Sequence, residues 1–240
     1  MYSREQFAKL MDSTLLKPAA TREDVVRACE EAISYHFATV VVFPFWLPIA
    51  RKVLQGSDVK PATVIGFPFG ASGRAVKVYE ARTAVTNGAK EMDVVINIGA
   101  LKSGETQIVE TEVRELVEST RIAGMMEDAK RTVLKFIIEC YYLTDEEKRI
   151  ACEIIRDAGA DFVKTSTGTA PGGAVVEDIR LIRNVVGPDM GVKAAGGIRT
   201  TDQALAMLDA GASRIGTSSA AAIVEGYVPE DYFESAGRRK

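Results

Sequence analysis

The chain has 240 residues, 47% hydrophobic and 26% charged, with a formal net charge of −3. These values suit a globular chain with a substantial core, and a slightly acidic balance gives no reason to expect nucleic acid as a partner, so any anion site must be local. No stretch reaches the roughly 18 apolar residues that span a membrane, and the single histidine, His36, excludes a multi-histidine metal centre.

Cys29, Cys140 and Cys152 lie at no metal-like spacing and read as reduced thiols. The first residues, Met1-Tyr2-Ser3-Arg4-Glu5-Gln6, lack the apolar core of a signal segment, so a cytoplasmic protein is expected.

In chain order, strand and helix signals alternate. Ser3 is placed to cap a short first helix, and residues 10–16 form the first strand candidate. Thr21 caps a helix with the apolar stripe Val25, Cys29, Ala32, Ile33. His36 ends that helix, where a cation is favoured, so its expected role is structural. Residues 38–43 are the run Ala-Thr-Val-Val-Val-Phe, which reads as a strand covered on both faces and stopped by Pro44. A helix through Ala50 and Leu54 leads to a strand at 62–67, and a helix through Tyr79 and Ala84 leads to a strand at 92–97. A longer helix carries Val109, Val113, Leu116 and Val117, and residues 132–139 form the fifth strand. Thr144 and Glu147 make a capping box, and the helix it opens has Ile150, Ala151, Ile154 and Ile155 on one face. The Lys164 strand, a helix from about Val175 to Val186 and the Lys193 strand follow. Thr200 and Gln203 make a second capping box before the short strand Ser213-Arg214-Ile215-Gly216 and a helix from Ala220 to Glu225. The polar tail from Ser235 to Lys240 reads as loose.

Asn87-Gly88-Ala89, Ala158-Gly159-Ala160 and Ala210-Gly211-Ala212 each end a helix just before a strand. Glycine past a helix end supplies the left-handed conformation that closes it. Three copies, no linker and no low-complexity segment argue for one repeating βα unit over residues 1–240. Eight such units match a TIM (β/α)8 barrel in size, with a short N-terminal helix added. A doubly wound open sheet is second, because Pro18-Ala19-Ala20-Thr21 after the first strand is not its glycine-rich phosphate turn.

The chemistry gathers late in the chain. Lys164 ends an apolar run, Phe162-Val163-Lys164, and small residues follow it through Gly168. A buried ammonium tends to lose its proton, and a neutral amine forms a Schiff base with a carbonyl. Lys193 sits in a similar strand, and two neighbouring like charges lower each other's affinity for protons. Lys164 is therefore the candidate nucleophile and Lys193 its electrostatic partner. The ordinary alternative for each is a solvated lysine at a strand end. Asp93 lies inside an apolar strand, as a structural partner for a lysine or as a proton carrier. Strand-end positions in a barrel gather Asp12, Asp93, Glu139, Lys164 and Lys193. Gly196-Gly197-Ile198-Arg199 and Gly216-Thr217-Ser218-Ser219 follow the seventh and eighth strands, where barrels commonly hold phosphate; ordinary turns are the alternative.

Taken together, Met11-Asp12-Ser13-Thr14-Leu15-Leu16-Lys17-Pro18, Val64-Ile65-Gly66-Phe67-Pro68, the strand Glu91 to Asn97, Leu101-Lys102-Ser103-Gly104, Phe162 to Gly168, Lys193 to Arg199 and Arg214 to Ser218 resemble the deoxyribose-phosphate aldolase family of class I aldolases. The resemblance implies a TIM barrel that reversibly cleaves 2-deoxy-D-ribose 5-phosphate to acetaldehyde and D-glyceraldehyde 3-phosphate in deoxyribonucleoside catabolism. It implies no cofactor and no metal, only small-molecule partners, and a homodimer or homotetramer. Lys164 is then the Schiff-base lysine, Lys193 the partner that keeps it neutral, and Asp93 the proton carrier acting through water. Gly168, Gly196, Gly197, Arg199, Gly216, Ser218 and Ser219 become phosphate-side contacts, and Asp12 and Thr14 match a motif at the site's edge.

The chain departs from the family pattern at Ser13, where many members have histidine, at Val41, where many have cysteine, and at Phe43, where asparagine or tyrosine is common. It ends Gly237-Arg238-Arg239-Lys240, without the terminal tyrosine that some members use in proton transfer. Two alternatives stay open: a Schiff-base barrel aldolase for another phosphosugar, and a barrel that isomerises or only binds a phosphosugar without a covalent adduct.

Overall fold

Eight parallel strands pair in sequence order, β1 to β8, and β8 returns to β1 to close a barrel. The computed structural model describes residues 2–126 and 131–229. The strands are β1 Met11–Leu15, β2 Thr39–Val42, β3 Lys60–Ile65, β4 Glu91–Val95, β5 Val133–Ile137, β6 Phe162–Lys164, β7 Gly191–Ala195 and β8 Arg214–Thr217. The helices are α1 Arg4–Ala8, α2 Arg22–Tyr35, α3 Leu47–Val53, α4 Arg74–Thr86, α5 Ile98–Lys102, α6 Thr106–Met126, α7 Asp145–Asp157, α8 Val176–Val186, α9 Thr201–Asp209 and α10 Ala220–Glu225. The tail from Ser235 and the chain end at Gly237–Lys240 lie outside the described residues.

The capping boxes form as their spacing predicts. Thr144 N–H donates to Glu147 Oε2 at 2.7 Å, and Glu147 N–H donates back to Thr144 Oγ1 at 3.3 Å. Thr200 and Gln203 reciprocate in the same way at α9. His36 closes α2 in the left-handed conformation, with Nδ1 3.2 Å from Asp58.

Several strands are shorter than the sequence reading, and three boundaries bear on the site. β3 stops at Ile65 because Gly66 turns to φ +62°. β4 stops at Val95, and Asn97 caps α5, a helix the sequence reading lacks; its side chain accepts the Ala100 N–H at 3.0 Å. At the other end of the chain, Thr217 belongs to β8 and not to the loop after it.

Alternation along each strand divides the core in two. Met92, Val94, Leu134, Phe136, Val163, Val192 and Ile215 pack outward with the helices in one apolar layer. Their neighbours face the barrel interior. There Val41, Ala62 and Val64 make a small apolar cluster with Leu16, Phe43 and Phe67 beside it. On the other side of the interior, Asp93 pairs in register with Lys135, Lys164 with Lys193, and Lys193 with Arg214. Half of the interior is thus oily and half is charged.

Candidate active site

The charged half is a continuous network of seven groups, six of them buried and Arg214 partly exposed. Lys164 Nζ and Lys193 Nζ each donate to Asp93 Oδ2 at 2.7 Å. Lys193 also lies 2.6 Å from Asp12 Oδ2. Lys135 Nζ sits 3.2 Å from Asp93 Oδ1, 2.6 Å from Glu91 Oε2 and 3.2 Å from Asp12 Oδ2. Arg214 Nη1 donates to Asp12 Oδ1 at 2.7 Å and to Glu91 Oε2 at 3.2 Å. Thr39 Oγ1 adds a 2.8 Å bond to Asp12 Oδ1.

Charge balance singles out one member. Asp12, Glu91 and Asp93 face four cations inside the barrel, Lys135, Lys164, Lys193 and Arg214, while the exposed Lys60 stands 3.7 Å from Glu91 Oε1. Losing one proton from those four interior cations balances the three carboxylates. Lys164 is the cation of the four that lines a cavity. Burial depresses its pKa; Asp93 works against that and Lys193 works with it, bringing the amine down to about 8. Burial also works to raise the Asp93 carboxyl, but Lys135, Lys164 and Lys193 outweigh it and hold Asp93 well below the usual carboxylate range. For Lys135, burial is overcome by Asp12, Asp93 and Glu91, so that ammonium is held firmly protonated.

The cavity above this network measures 390 Å³. Thr14, Lys164, Gly168, Gly196, Gly197, Arg199, Gly216 and Ser218 all line it. Two larger hollows, of 730 and 610 Å³, are lined by none of the seven charged groups. The glycines matter sterically. A Cβ on Gly173 would stand 2.2 Å from Gly196 O, so the two loops touch only because neither carries a side chain. A Cβ on Gly216 would meet Lys193 Cε at 2.8 Å.

Two residues expected at the cavity lie elsewhere. Asp12 is wholly buried beneath it, as the partner of Lys193 and Arg214, because it is the second residue of β1 and not at the strand's end. Ser219 is absent from the lining; its N–H turns back to Thr217 Oγ1 at 2.9 Å. Asp93 and Lys193 are mid-strand too, and reach each other through the interior. Glu139 lies just past β5, with its carboxylate on Thr167. Sequence reasoning missed Glu91, Lys135 and Arg214. Their signal was two-residue spacing: Glu91 shares a strand face with Asp93, and Lys135 alternates with Leu134 and Phe136.

Among the described residues no helix is long and apolar enough to cross a membrane. Residues 7–226 match the family described as DeoC/LacD family aldolase. The deoxyribose-phosphate aldolase of Thermococcus gammatolerans is 57% identical over 91% of this chain and 95% of its own. That of Thermococcus kodakarensis is 54% identical over 93% and 98%. The tetrameric deoxyribose phosphate aldolase from Aeropyrum pernix superposes with a TM-score of 0.84 at 36% identity, covering 98% of this chain and 93% of that one.

Proposed function

Because the chain belongs to the DeoC/LacD family of aldolases, we propose that it reversibly cleaves 2-deoxy-D-ribose 5-phosphate through a Schiff base on Lys164. The observation that carries the reading is a cavity-lining amine with a pKa of about 8, hydrogen-bonded to the carboxylate it shares with a second lysine. The neutral amine attacks the sugar's aldehyde carbon, and loss of water leaves an iminium. The proton on the C3 hydroxyl leaves, the C2–C3 bond breaks, and its electron pair moves into the iminium to form an enamine. Glyceraldehyde 3-phosphate departs. Protonation of the enamine carbon and hydrolysis of the resulting iminium release acetaldehyde and restore Lys164.

In this reading Asp93 moves protons through water, and Lys193 keeps Lys164 short of its proton. Asp12 anchors Lys193 from below. Thr14, Gly168, Gly196, Gly197, Arg199, Gly216 and Ser218 surround the phosphate-bearing end, with Ser219 ordering the turn behind them. Residues 1–240 act as one aldolase domain, with no metal and no cofactor. A homodimer or homotetramer is proposed, in keeping with the tetrameric Aeropyrum pernix relative. A cytoplasmic location is proposed in keeping with three buried free cysteines.

Borohydride trapping with acetaldehyde, followed by intact mass and peptide mapping, tests the reading. A reduced two-carbon adduct on Lys164, missing in Lys164→Ala, is expected. A folded protein that takes no adduct would remove the Schiff-base reading and leave a non-covalent phosphosugar barrel.

A further inference from the structure

Glu139 is a buried carboxyl to which the proposed reaction assigns no task. Its backbone holds φ 53°, in the left-handed region that residues other than glycine rarely adopt. Contacts on both sides keep it there. Ile138 N–H donates to Lys164 O at 3.0 Å, and Cys140 N–H to Thr165 O at 2.9 Å. The two neighbours of Glu139 are thus tied to the strand end that carries Lys164. Its side chain reaches onward to the next loop. Oε2 accepts the Thr167 N–H at 3.2 Å, and the same oxygen accepts the Thr167 hydroxyl.

Proton counting fixes the directions of the remaining bonds. A threonine hydroxyl has one proton to donate. Thr167 donates its proton to Glu139. Its oxygen also accepts the Thr169 N–H at 3.1 Å, and the Thr169 hydroxyl lies 2.9 Å away. With Glu139 ionised and the Thr167 proton committed to it, the Thr169 hydroxyl donates in that last contact. Thr169 Oγ1 therefore keeps only lone pairs for any further partner. Thr167, Gly168 and Thr169 line the same cavity as Lys164. A Cβ on Gly168 would come 3.8 Å from Gly196 Cα, so this segment borders the glycine-rich loop on one side and follows Lys164 on the other.

We infer that Glu139 is a positioning residue that, through Thr167, makes Thr169 Oγ1 a fixed acceptor for a hydroxyl on the phosphate-bearing half of the substrate. The inference rests on the aldolase reading above and adds a specificity element to it. In the condensation direction, that hydroxyl sits on the carbon next to the acceptor's carbonyl. Glyceraldehyde 3-phosphate has it; 3-oxopropyl phosphate lacks it and is otherwise the same. A buried or preset acceptor favours the ligand that supplies its donor.

The test measures kcat/KM for acetaldehyde addition to each acceptor. The parent is expected to prefer glyceraldehyde 3-phosphate, and Thr169→Val and Glu139→Ala to cut that preference by at least about tenfold. Glu139→Gln keeps an oxygen for Thr167 and is expected to restore most of it. Thr169→Val removes the acceptor and its hydroxyl bond to Thr167 at an exposed position, so it does not threaten the fold. A preference that survives Thr169→Val overturns the inference. So do losses equal for both acceptors, or a Glu139→Gln variant no better than Glu139→Ala. A parent that condenses neither acceptor and takes no acetaldehyde adduct on Lys164 would instead remove the aldolase reading, and this inference with it.

Discussion

Lys77 and Lys164 are both buried lysines bonded to a carboxylate, and they differ in what surrounds that bond. Lys77 Nζ donates to Glu112 Oε1 at 2.8 Å and to Val95 O at 2.9 Å, and Glu112 also accepts the Asn97 N–H at 3.1 Å. One cation meets one anion, both are satisfied, and neither lines the cavity. Lys164 belongs to a network with one cation more than its carboxylates can match, and it opens on a cavity. Burial lowers the pKa of both lysines. A depressed lysine pKa therefore does not separate structure from chemistry here; charge balance and access to a cavity do.

The sharpest break between the two comes from deleting each amine. Lys164→Ala is expected to lower kcat for cleavage by about four orders of magnitude or more, because it removes the nucleophile. Steady-state kinetics on the folded variant check this. Lys77→Met leaves Glu112 buried without its cation and is expected to cost about 3–5 kcal/mol of stability. Its kcat should stay within roughly threefold of the parent, as urea unfolding and kinetics on one preparation would reveal. A large catalytic loss with intact stability would erase the distinction.

Lys135→Met tests whether the lower part of the network belongs to both categories. It strips a cation from Asp12, Glu91 and Asp93 together. A stability loss of about 3–5 kcal/mol is expected, together with slower cleavage as Asp93 loses its anchor. Parent-like values in both measurements would show that Lys193 and Arg214 suffice.

The smallest effect is a shift in pH. Below about 8 the Lys164 amine is mostly protonated, so trapping by acetaldehyde and borohydride should rise about tenfold per pH unit and level off above that point. Lys193→Met removes a repelling charge and leaves Lys164 a larger share of Asp93. Both changes favour the ammonium, so the acid limb should move to higher pH. A limb that stays in place, or moves down, would show that Lys193 does not hold the Lys164 pKa down.

Much of this was legible along the chain. Thr144 with Glu147, and Thr200 with Gln203, announced two helix starts to the residue. Lys164, Lys193 and Asp93 stood out as charges in apolar strands, and all three meet at one carboxylate oxygen. Asp12 and Asn97 were harder to place. Asp12 was read at a strand end and lies within the strand, and Asn97 was read as strand and caps α5, because local hydrogen bonds and register, not composition, set those boundaries.

Alternation within single strands determined which faces are apolar, and the repeated glycine-closed helices determined the βα repeat. Those properties depend on residues a few positions apart, where sequence and geometry are tightly coupled. Barrel closure decided the rest. Arg214 meets Asp12 across 202 residues of chain, and Lys193 meets Asp93 across 100. Only the register of eight strands brings three carboxylates and four cations together, and only that gathering leaves Lys164 as the surplus cation beside the cavity.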